Sequence, residues 1–254
     1  MSLLEIKNMS MNYHSIKGET KALDNVNFNV EQGDFVSILG PSGCGKSTLL
    51  NIISGLLEPS SGETLYNGEN IKDHLNKIGY MFQKDHLFEW YTVWENVTLG
   101  LKIKKQINDK TKEKVEKLLE NYGLSKFKEH KPSELSGGMR QRVALIRTLA
   151  LNPEILFLDE PFSALDYQSR LLVCDDVYEI IKHEKKTAIM VTHDIAEAIS
   201  MSQKVIVLSK RPASVKREVV IKFDSDDLTP FEKRKEPQFS QYFNELWKEL
   251  NEDG

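Results

Sequence analysis

A glycine-rich loop between a strand-like run and a helix-like run constrains this chain more than any other feature. The apolar run "FVSIL" (35–39) leads into "GPSGCGKST" (40–48), after which a helical pattern follows. This is the G-x-x-x-x-G-K-[ST] pattern in the strand–loop–helix context that it requires. The glycines let backbone N–H groups surround a β-phosphate, while Lys46 reaches between the β- and γ-phosphates and the Ser47 hydroxyl ligates Mg²⁺. The alternative is a strand-to-helix turn that binds nothing.

Nine consecutive residues are the predicted phosphate cradle: Gly40, Pro41, Ser42, Gly43, Cys44, Gly45, Lys46, Ser47 and Thr48. Two interpretations of the Cys44 thiol stay open. It is incidental to binding, or its place near a helix N-terminus lowers its pKa and makes it reactive. The second interpretation predicts that alkylation blocks phosphate chemistry.

The run "ILFLDE" (155–160) supplies the second half of a phosphate site. Four apolar residues are typical of a strand buried on both faces, which places Asp159 and Glu160 at its carboxyl end. Ligands of doubly wound sheets bind at that edge. We expect Asp159 to hold Mg²⁺ and Glu160 to act as general base on a water. Taken alone, two acids after a strand are usually a solvated turn.

Two more polar residues follow strand-like runs at the same predicted edge. Gln83 follows "IGYMF" and His193 follows "TAIMVT". A glutamine amide can ligate Mg²⁺ or orient water, and a histidine can donate to a γ-phosphate. The remaining five histidines are assigned structural roles: His14, His74, His86, His130 and His183.

Short β-branched runs alternate with helical patterns, which indicates an α/β fold with a mostly parallel sheet. The first residues, "LLEIKNMSMNY", predict the start of a small antiparallel β subdomain. Strand signals vanish from about Trp94 to Ala150, which predicts an inserted helical subdomain. After Phe223, "DSDDLTP" is typical of a linker, and an amphipathic helix that packs on its own domain is predicted beyond it.

Composition excludes several classes of protein. The 254 residues carry 34 basic and 38 acidic side chains, and the resulting net charge of −4 gives no overall basic field for nucleic acid. No apolar run approaches the roughly 20 residues that a membrane-spanning helix needs. With two cysteines, no zinc-type spacing and no secretory leader, we expect a reducing, cytosolic environment.

The segment "LSGGMRQR" (135–142) is a second candidate anion site. Ser136 and the paired glycines Gly137 and Gly138 precede a helical run, so the amides of a helix N-terminus are left accessible. One domain with two such helix starts, far apart in sequence, calls for an explanation. The alternative is that the serine simply caps its own helix.

Taken in order, the phosphate loop, Gln83, "LSGGMRQR", "ILFLDE", "SALD" (163–166) and His193 resemble the ATPase subunits of ATP-binding cassette (ABC) transporters. The resemblance covers nearly the whole chain. It implies a P-loop ATPase domain over residues 1–223, with a helical subdomain at approximately 90–150, and a linker and C-terminal helix over 224–254. It also implies that the chain binds ATP and Mg²⁺.

The resemblance accounts for the second helix start. In such ATPases two copies pack head to tail, and the signature segment of one completes the ATP site of the other. It therefore implies a homodimer with two composite sites, in which Ser136, Gly137 and Gly138 contact the ATP held by the second copy. Asp166 resembles an acidic residue that contacts the second copy, and Tyr13 resembles an aromatic residue that stacks on adenine.

Within the family, "LFEWYTVWENV" (87–97) resembles the "LLPW-x-TV-x-ENV" run of ATPases that serve nitrate, aliphatic sulfonate and taurine importers. "VTHDIAEAISMSQKVIVLSKRP" and "PQFSQYFNELWKEL" resemble the same branch, while Glu89 and Gln203 depart from its usual proline and aspartate. Thiamine-precursor importers share much of the pattern.

The resemblance implies several partners: integral membrane permease subunits that dock on residues 87–94 and, indirectly, a solute-binding protein. It places the chain on the cytoplasmic face of a prokaryotic membrane. In the docking segment, Leu87, Phe88, Trp90, Tyr91, Val93 and Trp94 form an apolar and aromatic cluster, part of which is expected to be core.

Two alternative functions stay open: a non-transport ABC ATPase that handles DNA or ribosomes, and a regulatory nucleotide-binding module that never hydrolyses. Only about ninety residues separate Lys46 from Ser136, too few for the long coiled coils of DNA-repair relatives. The presence of Glu160 and His193 argues against a degenerate module.

Overall fold

Two β-sheets and eight α-helices build the described part of the chain. The computed structural model describes residues 2–16, 18–225 and 227–251. The strands are β1 (Ser2–Ser15), β2 (Gly18–Glu31), β3 (Phe35–Leu39), β4 (Ser61–Tyr66), β5 (Glu69–Asn70), β6 (Ile78–Met81), β7 (Ile155–Asp159), β8 (Thr187–Thr192), β9 (Lys204–Leu208) and β10 (Val215–Val220). The helices are α1 (Lys46–Ile53), α2 (Val93–Ile103), α3 (Asp109–Asn121), α4 (Gly137–Leu149), α5 (Tyr167–His183), α6 (Ile195–Met201), α7 (Pro230–Lys233) and α8 (Pro237–Asn251).

The larger sheet is the parallel sheet that the sequence predicts. Its six strands lie in the order β10-β9-β3-β8-β7-β6, with every neighbouring pair parallel except the antiparallel edge pair β10–β9. The central strands β3 and β8 are buried along their whole length, which explains their unbroken apolar runs. Since the parallel strands share one direction, their carboxyl ends meet at one edge of the sheet.

The smaller sheet is antiparallel and has the order β2-β1-β4-β5. Strand β1 pairs with β2 and with β4, so the antiparallel subdomain predicted at the start of the chain is present. Strands β4 and β5 were not predicted. The first three residues of β4, Ser61–Glu63, are polar and exposed, so the segment lacks the apolar alternation that marks a half-buried strand.

Residues 93–149, all of them described, form the helices α2, α3 and α4 with two short 3₁₀ helices and no strand. Helix α2 starts at a capping box, in which the Thr92 hydroxyl accepts from the Glu95 amide and the Glu95 carboxylate accepts from the Thr92 amide. The apolar faces of α2 and α3 pack on α4 in one core cluster that also covers β7. The N-terminus of α4 therefore belongs to a helical subdomain that packs beside the larger sheet.

The C-terminal helix α8 packs on α6 and β9. Leu246 is fully buried among residues of β9, β10 and α6, and Phe239, Tyr242 and Phe243 pack against the same cluster. The Arg217 guanidinium lies 2.6 Å from Glu245 and 2.8 Å from Glu249, which ties the outer face of α8 to β10. Among the described residues, no helix combines the length and the apolar character needed to cross a bilayer.

Candidate active site

The loop that joins β3 to α1 leaves the N-terminus of α1 accessible. The residue before α1, Gly45, has φ of 124°, and no side chain bonds to the first amides of the helix. A Cβ atom on Gly45 would lie 3.1 Å from the Leu23 side chain and 3.2 Å from the Ala22 carbonyl oxygen. Gly43 also has a positive φ, of 73°. Only glycine takes these conformations without strain, and the resulting loop leaves the N-terminus of α1 open to a phosphate.

Two cations brace this loop. The Lys46 ammonium group, 6 % exposed, donates to the carbonyl oxygens of Gly40 (2.9 Å) and Pro41 (3.0 Å). The Arg211 guanidinium donates to the carbonyl oxygen of Gly43 at 2.7 Å. Arg211 was missed by sequence reasoning. The signal was its position after β9, which runs parallel beside β3 and therefore ends at the same edge.

A hydroxyl and a carboxylate meet beside the loop. The Ser47 hydroxyl donates to Asp159 Oδ1 at 3.0 Å, and the Tyr80 hydroxyl lies 3.4 Å from Asp159 Oδ2 and 2.8 Å from Asn51 Oδ1. Burial raises the pKa of Asp159, the Ser47 hydrogen bond opposes this, and the charge of Glu160 adds to the rise. A bound cation would relieve that cost. The oxygen donors of Ser47 and Asp159 fit Mg²⁺, which completes its shell with water and phosphate oxygens.

Tyr80 is a further residue that the sequence did not single out. Burial, with Asp159 next, raises the pKa of its hydroxyl above the ordinary value, so the group stays a protonated donor. From β6, the strand next to β7, it donates to Asn51 Oδ1 at 2.8 Å and lies beside Asp159 Oδ2 at the longer distance of 3.4 Å. A tyrosine inside a four-residue strand carries no sequence signal that separates this role from packing.

Glu160 and His193 face each other across the edge of the sheet. Glu160, which directly follows β7, has φ of 43°, a left-handed conformation that is costly for a residue with a side chain. Its Oε2 atom lies 3.2 Å from Nδ1 of His193, which directly follows β8. Both side chains line a cavity of about 460 Å³ together with the loop residues Gly40, Pro41, Ser42 and Lys46. The candidate base therefore faces the phosphate cradle.

The remaining wall of this cavity comes from an unpredicted place. Besides Ile195, the residues Trp247, Leu250 and Asn251 of α8 line it. Helical periodicity predicted the buried face of α8, which includes Leu246. The periodicity did not indicate that Trp247, the next residue, lines the cavity, because that depends on the position of α8 relative to β3.

Gln83 and Tyr13 are not among the described residues that line this cavity. The Gln83 amide nitrogen donates to the Ser163 hydroxyl at 3.2 Å, so the structure directs this side chain to the segment after β7. The Tyr13 hydroxyl lies 3.2 Å from the Thr48 hydroxyl, and its ring is 42 % exposed beside the start of α1.

The predicted signature residues Ser136, Gly137 and Gly138 lie at the start of α4. They are not among the described residues that line the cavity. The Ser136 hydroxyl accepts from the Met139 amide at 3.3 Å, so it caps its own helix. A Cβ on Gly138 would lie 2.8 Å from Val173 Cγ2, which shows that this glycine is needed for packing against α5. Asp166 likewise caps α5, because its carboxylate accepts from the amides of Gln168 and Ser169.

The interpretation of Cys44 as a thiol with a lowered pKa is wrong. Its side chain is 2 % exposed and belongs to the core cluster beneath the loop. Burial raises the pKa of the thiol, and the nearby Lys46 charge only partly opposes this.

Helix α4 also holds the segment that follows Gln83. The Arg140 guanidinium lies 2.8 Å from Asp85 Oδ2 and 2.7 Å from Glu89 Oε1. Arg147 donates to the carbonyl oxygens of Asp85 (2.6 Å) and His86 (2.7 Å). The signature helix and the aromatic segment are thereby joined by ionic and backbone contacts.

The aromatic segment, residues 87–94, divides into core and surface. Leu87 and Val93 are buried, whereas Trp90 is 66 % exposed. The fully buried Asn96 shapes the loop, since its side chain bonds the backbone of Phe88, Tyr91 and Thr92. The structure thus presents an aromatic surface on a rigid backbone.

Comparisons with known proteins agree with this architecture. The family model described as "ABC transporter" matches residues 23–163. The chain is 47 % identical over 251 residues to the uncharacterized ABC transporter ATP-binding protein YtlC of Bacillus subtilis, covering 99 % of this chain and 96 % of the relative. It is 38 % identical to the nitrate import ATP-binding protein NrtD of Synechocystis sp. (96 % and 93 % covered) and 40 % identical to the taurine import ATP-binding protein TauB of Roseobacter denitrificans (97 % and 95 % covered).

Two solved structures are similar as well. The ATP-binding cassette MJ0796, in a dimeric post-hydrolysis state bound to ADP and Pi, superimposes with a TM-score of 0.73 at 36 % identity, covering 87 % of this chain and 99 % of that one. CbiO1 from Clostridium perfringens, part of the ABC transporter complex cbiONQ, gives a TM-score of 0.78 at 27 % identity, with 98 % and 95 % covered.

Proposed function

This chain belongs to the ABC transporter family of ATP-binding proteins, and from that membership we propose that it hydrolyses ATP to power the import of a small solute through a separate membrane permease. ATP-binding subunits of these transporters are ATPases. One observation supports the proposal for this chain most strongly: Glu160 and His193, 3.2 Å apart, face the same cavity as the phosphate loop. A cassette that only bound nucleotide would have no use for a carboxylate held in a costly backbone conformation at that point.

We assign the following roles to the residues around the cavity. The loop amides and Lys46 bind the β- and γ-phosphates, and the Tyr13 ring stacks on adenine. Ser47 and Asp159 would hold Mg²⁺, which neutralises charge on the phosphate oxygens when bound. Glu160 accepts a proton from the attacking water, while His193 donates to the γ-phosphate. Gln83, whose amide nitrogen donates to Ser163, would orient water or supply an amide oxygen to Mg²⁺.

We propose that a second copy completes each site. Ser136, Gly137 and Gly138 lie outside the cavity of their own chain, and α4 starts without an acidic residue in its first turn. Such a helix start carries about half a positive charge and attracts an anion. The dimeric state of the MJ0796 cassette supports association of two copies. Asp166, exposed at the start of α5, contacts the second copy.

The permease, in this proposal, docks on the aromatic segment and brings the chain to the cytoplasmic face of a prokaryotic membrane. Trp90 and the half-buried rings of Phe88 and Tyr91 form one aromatic group, with ring centroids 5.2–6.0 Å apart. Aromatic side chains on a rigid loop are typical anchors for a partner helix. The contacts of Arg140 with Asp85 and Glu89 would carry a displacement of this surface to the start of α4.

We propose that the solute is small and anionic or zwitterionic, of the nitrate, sulfonate and taurine kind, with a thiamine precursor as the alternative, and that a solute-binding protein delivers it. Relatives named for nitrate, sulfonate and taurine import support the first choice. Uptake of labelled taurine, nitrate and an alkanesulfonate in cells that lack this gene tests the assignment. We expect uptake of one of them to be lost and to return with the intact gene but not with Glu160→Gln. Uptake of all three unchanged by the deletion would contradict the substrate class.

Hydrolysis itself is tested on the purified chain by phosphate release. We expect release that requires Mg²⁺, stops with EDTA and is abolished in Lys46→Ala, because the ammonium group no longer stabilises the γ-phosphate. Arg211→Ala, which loosens the loop without removing a predicted phosphate ligand, serves as the comparison and should retain part of the activity. Phosphate release by Lys46→Ala at the parent rate would refute the ATPase assignment for this site.

A further inference from the structure

The last turns of α8 line the cavity that Glu160 and His193 also line. Trp247, Leu250 and Asn251 line the cavity together with Ser42 of the phosphate loop. Trp247 is nevertheless 57 % exposed, and it is one of the larger apolar side chains that the described surface leaves open. An exposed indole ring at the rim of this cavity is apolar surface whose burial against a partner stabilises a complex.

The position of Trp247 is fixed by three sets of contacts. Leu246, the preceding residue, is fully buried. The Trp247 ring stacks on Phe243 with centroids 6.3 Å apart and an interplanar angle of 13°, and Phe243 stacks on Phe239 in turn. The Asn251 amide donates to the Trp247 carbonyl oxygen at 2.8 Å, which holds the end of the helix.

Ion pairs with β10 secure the opposite face of α8. Glu249 accepts from Arg217 at 2.8 Å, and Glu245 lies 2.6 Å from the same guanidinium. The Lys216 ammonium group donates to the carbonyl oxygen of Glu249 at 2.6 Å. A helix anchored on its buried face and on its outer face is suited to present a side chain rather than to swing as a lid. The structure therefore favours Trp247 as a fixed contact residue.

The chemistry of the rim indicates what the contact is. If a second copy completes the site, its signature helix must approach this cavity, whose lining includes Trp247. A tryptophan that is pre-ordered and half exposed beside the point of closure has the properties of an interface hot spot.

We propose that the end of α8, with Trp247 as its anchor, is a contact surface for a second copy of this chain, and that it becomes buried when two copies close around ATP. This inference rests on the proposed function, because it requires ATP-dependent closure. It adds a surface at the end of the chain to the signature segment and Asp166, which the resemblance already implies. Closure then has an apolar component as well as the electrostatic one at the start of α4.

The test uses the full chain in a Glu160→Gln background, which holds ATP without turnover. Sedimentation velocity with Mg-ATP gives the dimer dissociation constant for this parent and for Trp247→Ala, Trp247→Phe and Phe231→Ala. Phe231, 42 % exposed on α7 and absent from the cavity wall, is the matched control. Binding of a fluorescent ADP analogue to each chain at low concentration reports the nucleotide site separately.

We expect Trp247→Ala to weaken the dimer roughly tenfold or more, Trp247→Phe to weaken it less, and Phe231→Ala to leave it unchanged, all with unchanged ADP binding. Acrylamide quenching should show that ATP protects a tryptophan in the parent and that this protection is lost in Trp247→Phe.

An unchanged dimer constant for Trp247→Ala overturns the inference while the proposed function stands. Tighter dimerisation, which would mean that α8 obstructs closure, or equal loss of ADP binding also overturns it. A parent that fails to dimerise with ATP overturns both.

Discussion

The N-termini of α1 and α4 are both candidate anion sites, but they differ in capping and in position relative to the cavity. Helix α1 starts at Gly45 with no side-chain cap and lies in the cavity that holds Lys46, Glu160 and His193. Helix α4 starts at Ser136, whose hydroxyl accepts from Met139, and it lies away from that cavity. Neither helix has an acid in its first turn, whereas α2 and α3 carry Glu95 and Asp109 there.

This difference has a physical meaning. An acid in the first turn stabilises a helix through the dipole, so its absence leaves the positive end available to a foreign anion. In the proposed dimer, α1 binds the phosphates of the nucleotide held by its own chain. At α4 the Ser136 hydroxyl accepts a long hydrogen bond of 3.3 Å from the Met139 amide, and the proposal has the phosphate of a second copy approach this helix start. The four predictions below concern these two helix starts and the residues packed around them. The α1 side brings Lys46, Glu160 and His193 together within one chain, and the proposal assigns the start of α4 to the ATP site of a second copy.

The largest effect is expected at the α1 side. Glu160→Gln removes the general base but keeps the shape of the cavity, so turnover should fall by about 10²–10⁴-fold with ATP binding retained. An ATP-bound dimer should then accumulate in size exclusion. Phosphate release is the measurement, with the surface variant Glu113→Gln as the control. Turnover within a few fold of the parent would exclude Glu160 as the base.

Ser136→Asp tests the α4 side with little effect on folding. Aspartate caps a helix as well as serine does, so α4 should stay formed, but its charge repels the phosphate of a second copy. We expect turnover to fall on the order of 100-fold and ATP-dependent dimerisation to disappear, with unchanged nucleotide binding. Ser136→Arg should act likewise by steric block. Normal turnover in both variants would show that the start of α4 serves its own helix alone.

Alanine substitutions at the paired glycines of α4 should lower the free energy of unfolding by different amounts. A Cβ on Gly138 would lie 2.8 Å from Val173 Cγ2, so Gly138→Ala should cost about 1–3 kcal/mol in urea unfolding. Gly137→Ala meets only the end of the Leu165 side chain, at 3.1 Å, and should cost less. Combining Gly138→Ala with Val173→Ala should give less than the sum of the single losses. Additive losses would refute the packing role of Gly138.

The smallest effect concerns the thiol under the loop. Since burial raises the pKa of Cys44, its thiolate fraction at neutral pH is below that of an ordinary cysteine, and labelling by iodoacetamide should be at least about tenfold slower than for an exposed thiol. The rate should keep rising with pH beyond the ordinary cysteine pKa of roughly 8.5. Mass spectrometry of the labelled peptide measures it, with ATP expected to make little difference. Rapid labelling at neutral pH would contradict the buried position.

Most residues of the cavity around the start of α1 could be predicted from the sequence. Unbroken apolar runs identify strands buried on both faces, and polar residues at their carboxyl ends meet at one edge in any parallel sheet, which is why Asp159, Glu160 and His193 could be predicted together. The resemblance to ABC transporter ATPases, and the α/β fold with its antiparallel and helical parts, are confirmed by the family match and the structural neighbours.

The parts that escaped prediction depend on how elements pack rather than on local pattern. Three unpredicted residues lie at the site: Tyr80 on β6, Arg211 after β9 and Trp247 on α8. The residues next to them in the sequence do not indicate that position. Strand β4 was missed because its first half is polar and exposed. The role of Gln83 at Mg²⁺ stays a prediction; its amide nitrogen donates to a hydroxyl of the segment after β7, a contact that the sequence did not indicate.

The central claim is that a single chain holds one part of the ATP site and must obtain the start of α4 from another. The most direct test is the rate of phosphate release per chain, measured over a thousandfold range of chain concentration for the parent and for Ser136→Asp. The account predicts a rate per chain that rises with concentration in the parent and stays near zero in the variant. The same rate per chain at every concentration, in both proteins, would contradict it.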